Sequence, residues 1–270
     1  MYPTLTEEEF RRARRWIERF RVHHTVVVEG FRGVREALAT VDSVPRLVVI
    51  TPEWLHRPEW HTLARHLRGR RACNVRICTP AQMRQLSTVE TPPGLLAIFR
   101  QRPQRTWPPA AEGFYLYFYR IRDPGNLGTI FRTALATGVR GIFLSPKSVS
   151  PYNPKVTRAS MSACLRIPFW IEVPPAHLIR WYQQTGMPLM IIHPRQSTPV
   201  WEFAWPRRGV MIFGGETASL PRPFRLLPGA HIPMLAEMDS LNVAVAVAVT
   251  NYLRLYAEMH RGGVLHVSGE

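Results

Sequence analysis

Polar side chains follow apolar runs at three points in the second half of the chain, and together they could bind and orient a polar ligand. Asn126 and Arg132 come after FYLYFYRIRDPG, Glu216 comes after VMIFGG, and Ser240 and Asn242 come after HIPMLAEMD. Ligands of open α/β sheets bind outside the carboxyl ends of the strands. The spacing therefore predicts a ligand site where these three strands end.

Each of the three segments also has a purely structural interpretation. The D-P-G-N sequence is a common turn, G-G-E is a common strand exit, and D-S-L-N is an acceptable helix N-cap. Taken singly, the structural interpretation is favoured for each segment. The combination in this order is much more specific than any one of its parts.

Rossmann dinucleotide-binding enzymes, methyltransferases with a G-x-G loop and P-loop enzymes are disfavoured, because their motifs are absent. No two of the 17 glycines are separated by a single residue, so G-x-G-x-x-G does not occur. The two lysines, Lys147 and Lys155, do not form a G-K-[ST] P-loop, and H-E-x-x-H and G-x-S-x-G are missing too. Cys73, Cys78 and Cys164 include no C-x-x-C pair. We therefore expect no disulfide framework and no metal site.

The charge balance favours a polyanionic partner. The chain has 35 basic and 19 acidic residues, a net charge of +16, and RNA is the partner that this excess favours. A solvated amphipathic helix is an equally good account of the arginines in the first helix. The candidate RNA-binding residues are two clusters of arginines with few acidic neighbours: Arg11, Arg12, Arg14 and Arg15, and Arg68, Arg70 and Arg71.

The chain is expected to be a reduced, cytoplasmic protein without membrane contact. The apolar run 241–249 is far shorter than the roughly 20 residues of a membrane span. The first residues, MYPTLTEEEFRRARR, lack the apolar core of a signal peptide.

The elements that must position these residues alternate between strands and helices, which predicts an α/β fold. A small α/β domain is expected over 1–100, a Pro- and Arg-rich linker over 101–113, and a larger domain with a mostly parallel sheet, covered by helices on both faces, over 114–270. The predicted strands are 25–28, 46–50, 75–78, 95–99, 114–119, 141–144, 189–192, 210–213 and 231–233, and the predicted helices are 6–20, 31–39, 59–68, 126–137, 154–164, 176–184 and 240–259.

The three segments resemble the signature motifs of the SpoU/TrmH branch of the SPOUT RNA methyltransferases. The stretch YNPKVTRASMSACLRIPFW between the first two is also similar to this family, and RFRVHHTVVVEGFRGVREAL resembles the ribosomal-protein-like RNA-binding domain that precedes many members. The resemblance implies transfer of a methyl group from S-adenosylmethionine to a ribose 2′-hydroxyl. It also implies a deep trefoil knot and a homodimer built around the cofactor site.

The resemblance also implies residue roles. Asn126, Arg132, Glu216, Ser240 and Asn242 match the catalytic polar positions, with Arg132 as the family's candidate base. A guanidinium has a pKa above 12, so a phosphate clamp that orients the hydroxyl is the physically safer role for Arg132. The residues implied to bind the cofactor are Gly214, Ile232 and Leu241, with Met234 and His193 as further pocket candidates. For His193 an ordinary strand-end histidine is the favoured account.

Two departures from the family pattern concern the backbone. Ser219 and Ser162 stand at positions where the family often has glycine. Either change could tighten the backbone near the cofactor, but every polar catalytic position is kept.

Large-subunit (23S) ribosomal RNA is the expected substrate, because the N-terminal segment resembles that of ribosomal RNA members. Transfer RNA is the alternative substrate. A knotted RNA-binding or ribosome-assembly protein without activity is the alternative of a different class. The complete set of five polar residues argues against a pure binding protein.

Overall fold

The structure of the chain is a computed structural model, and it describes residues 2–39, 44–68, 74–108, 113–215, 219–235 and 240–262. The predicted α/β class is confirmed. In the first part of the chain the elements are α1 Glu7–Glu18, α2 Phe20–His23, β1 Thr25–Glu29, α3 Phe31–Leu38, β2 Pro45–Ile50, α4 Pro58–Arg68, β3 Val75–Ile77, α5 Pro80–Leu86 and β4 Leu95–Arg100. They are followed by β5 Gly113–Tyr119, α6 Pro124–Ala136, β6 Gly141–Leu144, α7 Pro154–Ala159, β7 Phe169–Trp170, α8 Pro175–Thr185, β8 Leu189–Ile192, β9 Thr198–Pro199, β10 Arg208–Gly214, α9 Arg222–Arg225, β11 Gly229–His231 and α10 Val243–Gly262.

The chain forms two compact units, residues 1–103 with 150–166 and residues 104–149 with 167–270. The first unit contains a four-stranded sheet in the order β1-β4-β2-β3. Strand β4 is antiparallel to both of its neighbours, and β2 and β3 are parallel. Helix α1 buries Phe10 and Ala13 in the same core cluster as Val49 and Ile98 of the sheet. Its arginines are therefore left on the outer sides of the helix.

The second unit contains a seven-stranded sheet in the order β7-β6-β5-β10-β8-β11-β9, with every described pairing parallel. Side chains alternate between the two faces of a strand. Tyr115 of β5 lies in one core cluster with Trp181 of α8 and Phe224 of α9. The neighbouring Phe114 packs beneath Arg254 of α10. Helices thus cover both faces, as the sequence predicts for a parallel sheet.

The segment Ser150–Arg166 packs with the first unit, although it lies inside the predicted larger domain of 114–270. Its Arg158 donates from Nη1 to Thr88 Oγ1 (2.9 Å), and its Ser162 donates from Oγ to the Gly33 carbonyl (3.1 Å). The chain therefore passes between the two units three times. The predicted linker 101–113 also differs, because the chain belongs to the second unit from Gln104 onward.

Several short elements were not predicted. Helix α5 begins with a capping box formed by Thr79 and Gln82, a T-x-x-Q signal that is present in the sequence. Strands β7 and β9 and helix α9 have only two to four residues each, too few for a periodic pattern. The predicted helix 154–164 is divided into α7 and a 3₁₀ turn, Ala163–Leu165. None of the described helices is long and apolar enough to cross a membrane.

Candidate active site

The first motif segment begins helix α6, and Asp123 is its N-cap. The Asp123 carboxylate accepts a hydrogen bond from the Asn126 backbone N–H (2.6 Å). Asn126 itself therefore lies in the first helical turn. The predicted helix 126–137 therefore begins two residues earlier, at Pro124, a position where proline is tolerated.

The third motif segment begins helix α10, and Asn242 caps it. Asn242 Oδ1 accepts from the backbone N–H groups of Ala244 (2.9 Å) and Val245 (3.4 Å). The predicted start of this helix at 240 was therefore too early, since the cap lies two residues after Ser240. Asp239 lies outside the described residues. The cap orients the Asn242 amide with its nitrogen away from the helix.

The Asn242 amide nitrogen connects the first and third motif segments. Its Nδ2 donates to Asn126 Oδ1 at 2.9 Å. The two residues are 116 positions apart in the sequence, so the contact depends on the tertiary fold. It confirms the prediction that these segments meet at one edge of the sheet.

A second polar contact joins the C-terminal end of α6 to the middle of α10. The buried Arg254 of α10 donates from Nη2 to the carbonyl of Thr137, the C-cap of α6, at 2.6 Å. Its guanidinium lies 4.7 Å from the centre of the Phe114 ring and pairs with Glu258 at 2.6 Å. Helices α6 and α10 therefore run side by side in the same direction and are joined at two points. No pattern in the sequence indicates this role for Arg254.

Arg132 of α6 is exposed and makes no hydrogen bond or ion pair with another described residue. Its guanidinium is thus left for solvent or for an anionic ligand. Glu216, the predicted acid of the second motif, lies outside the described residues. Ser240 and Leu241 are exposed and directly precede Asn242.

Four of the five predicted cofactor residues stand at the ends of three adjacent strands. Gly214 ends β10, His193 follows β8, and Ile232 and Met234 follow β11, and the three strands are neighbours in the order β10-β8-β11. All four residues are half-buried. They form a row of backbone groups and apolar side chains along the carboxyl edge of the sheet.

His193 is held in a neutral form. Its Nδ1 accepts a hydrogen bond from the Arg195 backbone N–H (3.1 Å). Burial lowers its pKa below the ordinary histidine value, and the nearby charges of Arg195 and Arg225 lower it further. Its Nε2 therefore carries the ring proton and can donate to a ligand.

Gly215 is a site residue that the sequence analysis did not include among the binding positions. A Cβ atom on Gly215 would lie 2.5 Å from the carbonyl oxygen of Arg120, which is closer than side chains approach. Arg120 itself has a left-handed backbone (φ 56°) at the end of β5. The G-G pair in the second motif could have indicated such a close approach of two backbones.

The candidate RNA-binding arginines of α1 differ in whether they form an ion pair with a glutamate of the same helix. Arg11 pairs with Glu7 (2.8 Å) and Arg14 pairs with Glu18 (2.7 Å), both one helical turn apart. Arg12 lies over the Trp16 ring, and neither Arg12 nor Arg15 has an ion pair among the described residues. Arg68 ends α4, and Arg70 and Arg71 lie outside the described residues.

The described residues contain no cluster of histidine, cysteine and acidic side chains that could hold a metal ion. Cys78 and Cys164 are buried and not disulfide-bonded. Burial raises the pKa of Cys78 to about 11, which keeps it an unreactive thiol at neutral pH.

The chain is similar to known RNA methyltransferases in sequence and in structure. An uncharacterized tRNA/rRNA methyltransferase of Synechocystis is 36% identical over 172 residues, covering 62% of each chain. A 23S rRNA (uridine(2479)-2′-O)-methyltransferase of Streptomyces viridochromogenes is 29% identical over 53% of each chain. The match thus spans between half and two thirds of these curated relatives.

Likeness to a solved structure extends over nearly the whole chain. The AdoMet-bound rRNA methyltransferase of Sinorhizobium meliloti has a TM-score of 0.78 and 25% identity, covering 94% of this chain and 97% of that one. The model of the SpoU rRNA Methylase family matches residues 113–252, which include all three motif segments. The chain belongs to the SpoU rRNA Methylase family.

Proposed function

We propose that the protein is an RNA methyltransferase that transfers a methyl group from S-adenosylmethionine to a ribose 2′-hydroxyl. The observation that carries the proposal is the hydrogen bond between Asn242 and Asn126. It joins two motif segments of a SpoU family chain at the sheet edge where ligands of such folds bind.

The cofactor is proposed to lie along the adjacent ends of β10, β8 and β11. S-adenosylmethionine supplies an electrophilic methyl group when bound. The half-buried side chains of Ile232 and Met234 offer apolar contact for an adenine ring, and the strand-end backbone at Gly214 offers hydrogen bonds to its polar edge. The neutral His193 is a further donor, and Leu241 covers the open side. The residue types present therefore fit the group.

The reaction needs an oriented hydroxyl, because methyl transfer is an in-line displacement. The exposed Arg132 guanidinium, which has no acidic partner among the described residues, is proposed to hold the substrate phosphate and orient the hydroxyl. A group with a pKa above 12 is a poor base. Asn126 and Asn242 fix the geometry beside it. Glu216 and Ser240 are proposed to complete the polar set.

The proposed substrate is large-subunit ribosomal RNA. Two similar proteins are named as methyltransferases of ribosomal RNA, and a third name covers both tRNA and rRNA. The predicted small domain, residues 1–100, is proposed to bind the RNA. Arg12 and Arg15, with the 68–71 cluster, are proposed as its phosphate contacts, because the other two candidates of α1 are paired with acids.

The proposed assembly is a cytoplasmic homodimer through the larger unit, with a trefoil knot at the carboxyl edge of its sheet. Support for the dimer comes from α10. Its Val245, Tyr252 and Tyr256 are 49%, 54% and 59% exposed, and they lie on one face of the helix. An apolar stripe of this kind is typical of a surface that another chain covers.

A methyl-transfer assay tests the proposal. We expect tritium from labelled S-adenosylmethionine to enter ribosomal RNA, with mapping of the 2′-O-methyl group identifying the nucleotide. Incorporation into transfer RNA alone would replace the proposed substrate. No incorporation into either RNA would support a non-catalytic RNA-binding protein. Arg132→Ala and Arg132→Lys should both abolish transfer while cofactor affinity, measured by calorimetry, stays within a few-fold.

A further inference from the structure

A cleft of about 330 Å³ lies on α8 of the second unit, away from the three motif segments. It is lined by Trp107, His177, Arg180, Trp181 and Gln184. The four α8 residues recur at helical spacing and therefore share one face of the helix. The volume of the cleft is at the lower end of the range for small-ligand sites, about 300–1,000 Å³. We call it the α8 cleft.

Trp107 is fixed in place at the wall of the α8 cleft. Its ring stacks on Trp181 and Phe143, with centroid distances of 5.3 and 5.2 Å and interplanar angles below 30°. The backbone before it is held too, because the Thr106 carbonyl accepts from Trp170 Nε1 at 2.8 Å. The half-exposed indole is therefore a preformed aromatic surface.

The polar groups of the α8 cleft favour an anionic ligand. His177, Arg180 and Gln184 are exposed, and the lining that the structure describes includes no acidic residue. Arg180 makes no hydrogen bond or ion pair with any residue that the structure describes. A guanidinium binds phosphate through two parallel N–H groups, and a glutamine amide can both donate to and accept from the edge of a base.

We propose that the α8 cleft binds an unpaired nucleotide of the RNA substrate, outside the nucleotide that is methylated. The base stacks on Trp107, Arg180 contacts its phosphate, and Gln184 contacts the base edge. Aromatic stacking with an adjacent cation is the usual mode of binding single-stranded RNA. The inference rests on the proposed function, since it names a second contact for the same substrate.

Helix α8 begins at the same edge of the sheet as helix α6. The Val173 N–H, just before α8, donates to the carbonyl of Leu144, the last residue of β6. Helix α8 therefore begins at the carboxyl edge of the sheet, and β6 is the neighbour of β5, which leads into α6.

The test uses the full chain and a single-stranded RNA octamer that carries 5-iodouridine. Irradiation should crosslink the octamer to the peptide that contains Trp107. Arg180→Gln should weaken octamer binding about tenfold, as the loss of a base or phosphate contact does, and should flatten the log–log salt dependence by about 0.7. Trp107→Leu should abolish the crosslink. Arg207→Gln, at another exposed arginine of the same unit, is the matched control.

Two outcomes separate this inference from the proposed function. If Arg180→Gln binds the octamer as tightly as Arg207→Gln and no crosslink reaches Trp107, the α8 cleft is not an RNA site, whatever the methyl-transfer activity. If the wild-type protein crosslinks at Trp107 but transfers no methyl group to any RNA, the nucleotide site stands and the proposed function falls.

Discussion

Asn242 uses both ends of its amide group for different purposes. Its oxygen caps α10, and its nitrogen donates to Asn126 Oδ1. An N-cap contributes about 0.5–2 kcal/mol to stability, and the second contact fixes the geometry of the candidate active site. One side chain thus links the stability of a helix with the position of a catalytic residue.

Substitutions at Asn242 should separate these two roles. Asn242→Asp keeps an oxygen that caps the helix and adds a charge that favours the helix N-terminus. It also places an acceptor oxygen opposite the Asn126 acceptor. We expect unchanged or slightly raised stability in urea denaturation, with methyl transfer slowed about tenfold or more, equivalent to about 1.4 kcal/mol in the barrier. Asn242→Ala should lower both stability and rate.

Asn153 provides the control for Asn242. Its Oδ1 caps α7 by accepting from the Lys155 N–H (2.9 Å), and we give it no part in the reaction. Asn153→Ala should lower stability by a similar amount with little change in rate. If Asn242→Asp retained full activity, the contact with Asn126 would have no part in positioning the site.

His193 should make stability depend on pH. Because the pKa of His193 is lower in the folded protein than in the unfolded chain, the unfolded state binds more protons as pH falls. Its contribution is fully present above about pH 6.5, the ordinary histidine value, and is lost as the pH falls below that value. His193→Gln should therefore lose less stability than the wild type between pH 7 and pH 5. Equal losses in urea denaturation would contradict this account.

At the scale of elements, the segment after α7 shows why one predicted helix is interrupted. Met161 and Ser162 have left-handed backbones (φ 50° and 67°), a conformation that costs a residue with a side chain about 1–2 kcal/mol. Ser162 is buried, and its hydroxyl donates to the Gly33 carbonyl. That hydrogen bond offsets part of the cost of placing a serine in this backbone conformation.

Replacement of Ser162 by glycine and by alanine should therefore change the stability by different amounts. Ser162→Gly loses the hydrogen bond, worth about 1 kcal/mol, but relieves the backbone, so its stability should be close to that of the wild type. Ser162→Ala loses the hydrogen bond and keeps the strained backbone, so it should be less stable by about 1 kcal/mol. Urea denaturation measures the difference. If Ser162→Ala were more stable than Ser162→Gly, the backbone at this position would carry no strain.

The long periodic elements of the sheet and the helices could be predicted from the sequence, and so could the meeting of two motif segments. The rule that ligands bind at strand ends predicts that these segments lie at one edge of the sheet. It does not predict that Asn242 Nδ2 donates to Asn126 Oδ1. Arg254 could not be found, since nothing in a helix of small apolar residues marks the one arginine that is buried. The placement of Ser150–Arg166 also depends on contacts between distant residues, which no local pattern records.

The exposed stripe of α10 should determine the oligomeric state. Tyr252→Arg places a charge in the middle of the stripe, and a charge that is buried without a partner strongly disfavours association. We expect light scattering to show dimers for the wild type and monomers for Tyr252→Arg. Tyr182→Arg, at an exposed tyrosine of α8, should remain dimeric. A dimeric Tyr252→Arg variant would place the interface elsewhere.

At the scale of the whole molecule, the net charge of +16 should make RNA affinity fall steeply with salt. Each phosphate contact on single-stranded RNA contributes about 0.7 to the log–log slope. The unpaired Arg12 and Arg15 of α1 should contribute, whereas Arg11 and Arg14 are already paired with acids. The double substitution of Arg12 and Arg15 by Gln should therefore lower both affinity and slope.

The matched control is the double substitution of Arg11 and Arg14 by Gln on the same helix. It removes the same formal charge but leaves Glu7 and Glu18 without their partners. We expect a smaller change in slope from this pair, measured by titration at several salt concentrations. An identical change for both pairs would mean that the helix acts only through its total charge.

The three passages of the chain between its two units have a consequence for synthesis on the ribosome. Domains generally fold in the order in which they emerge, at synthesis rates of about 5–20 residues per second. The first unit is completed by Ser150–Arg166, so its core stays open for several seconds after residue 103 has been made. During that interval β5, α6 and β6 are synthesised. The first unit of this chain is thus finished only after the second has begun to form.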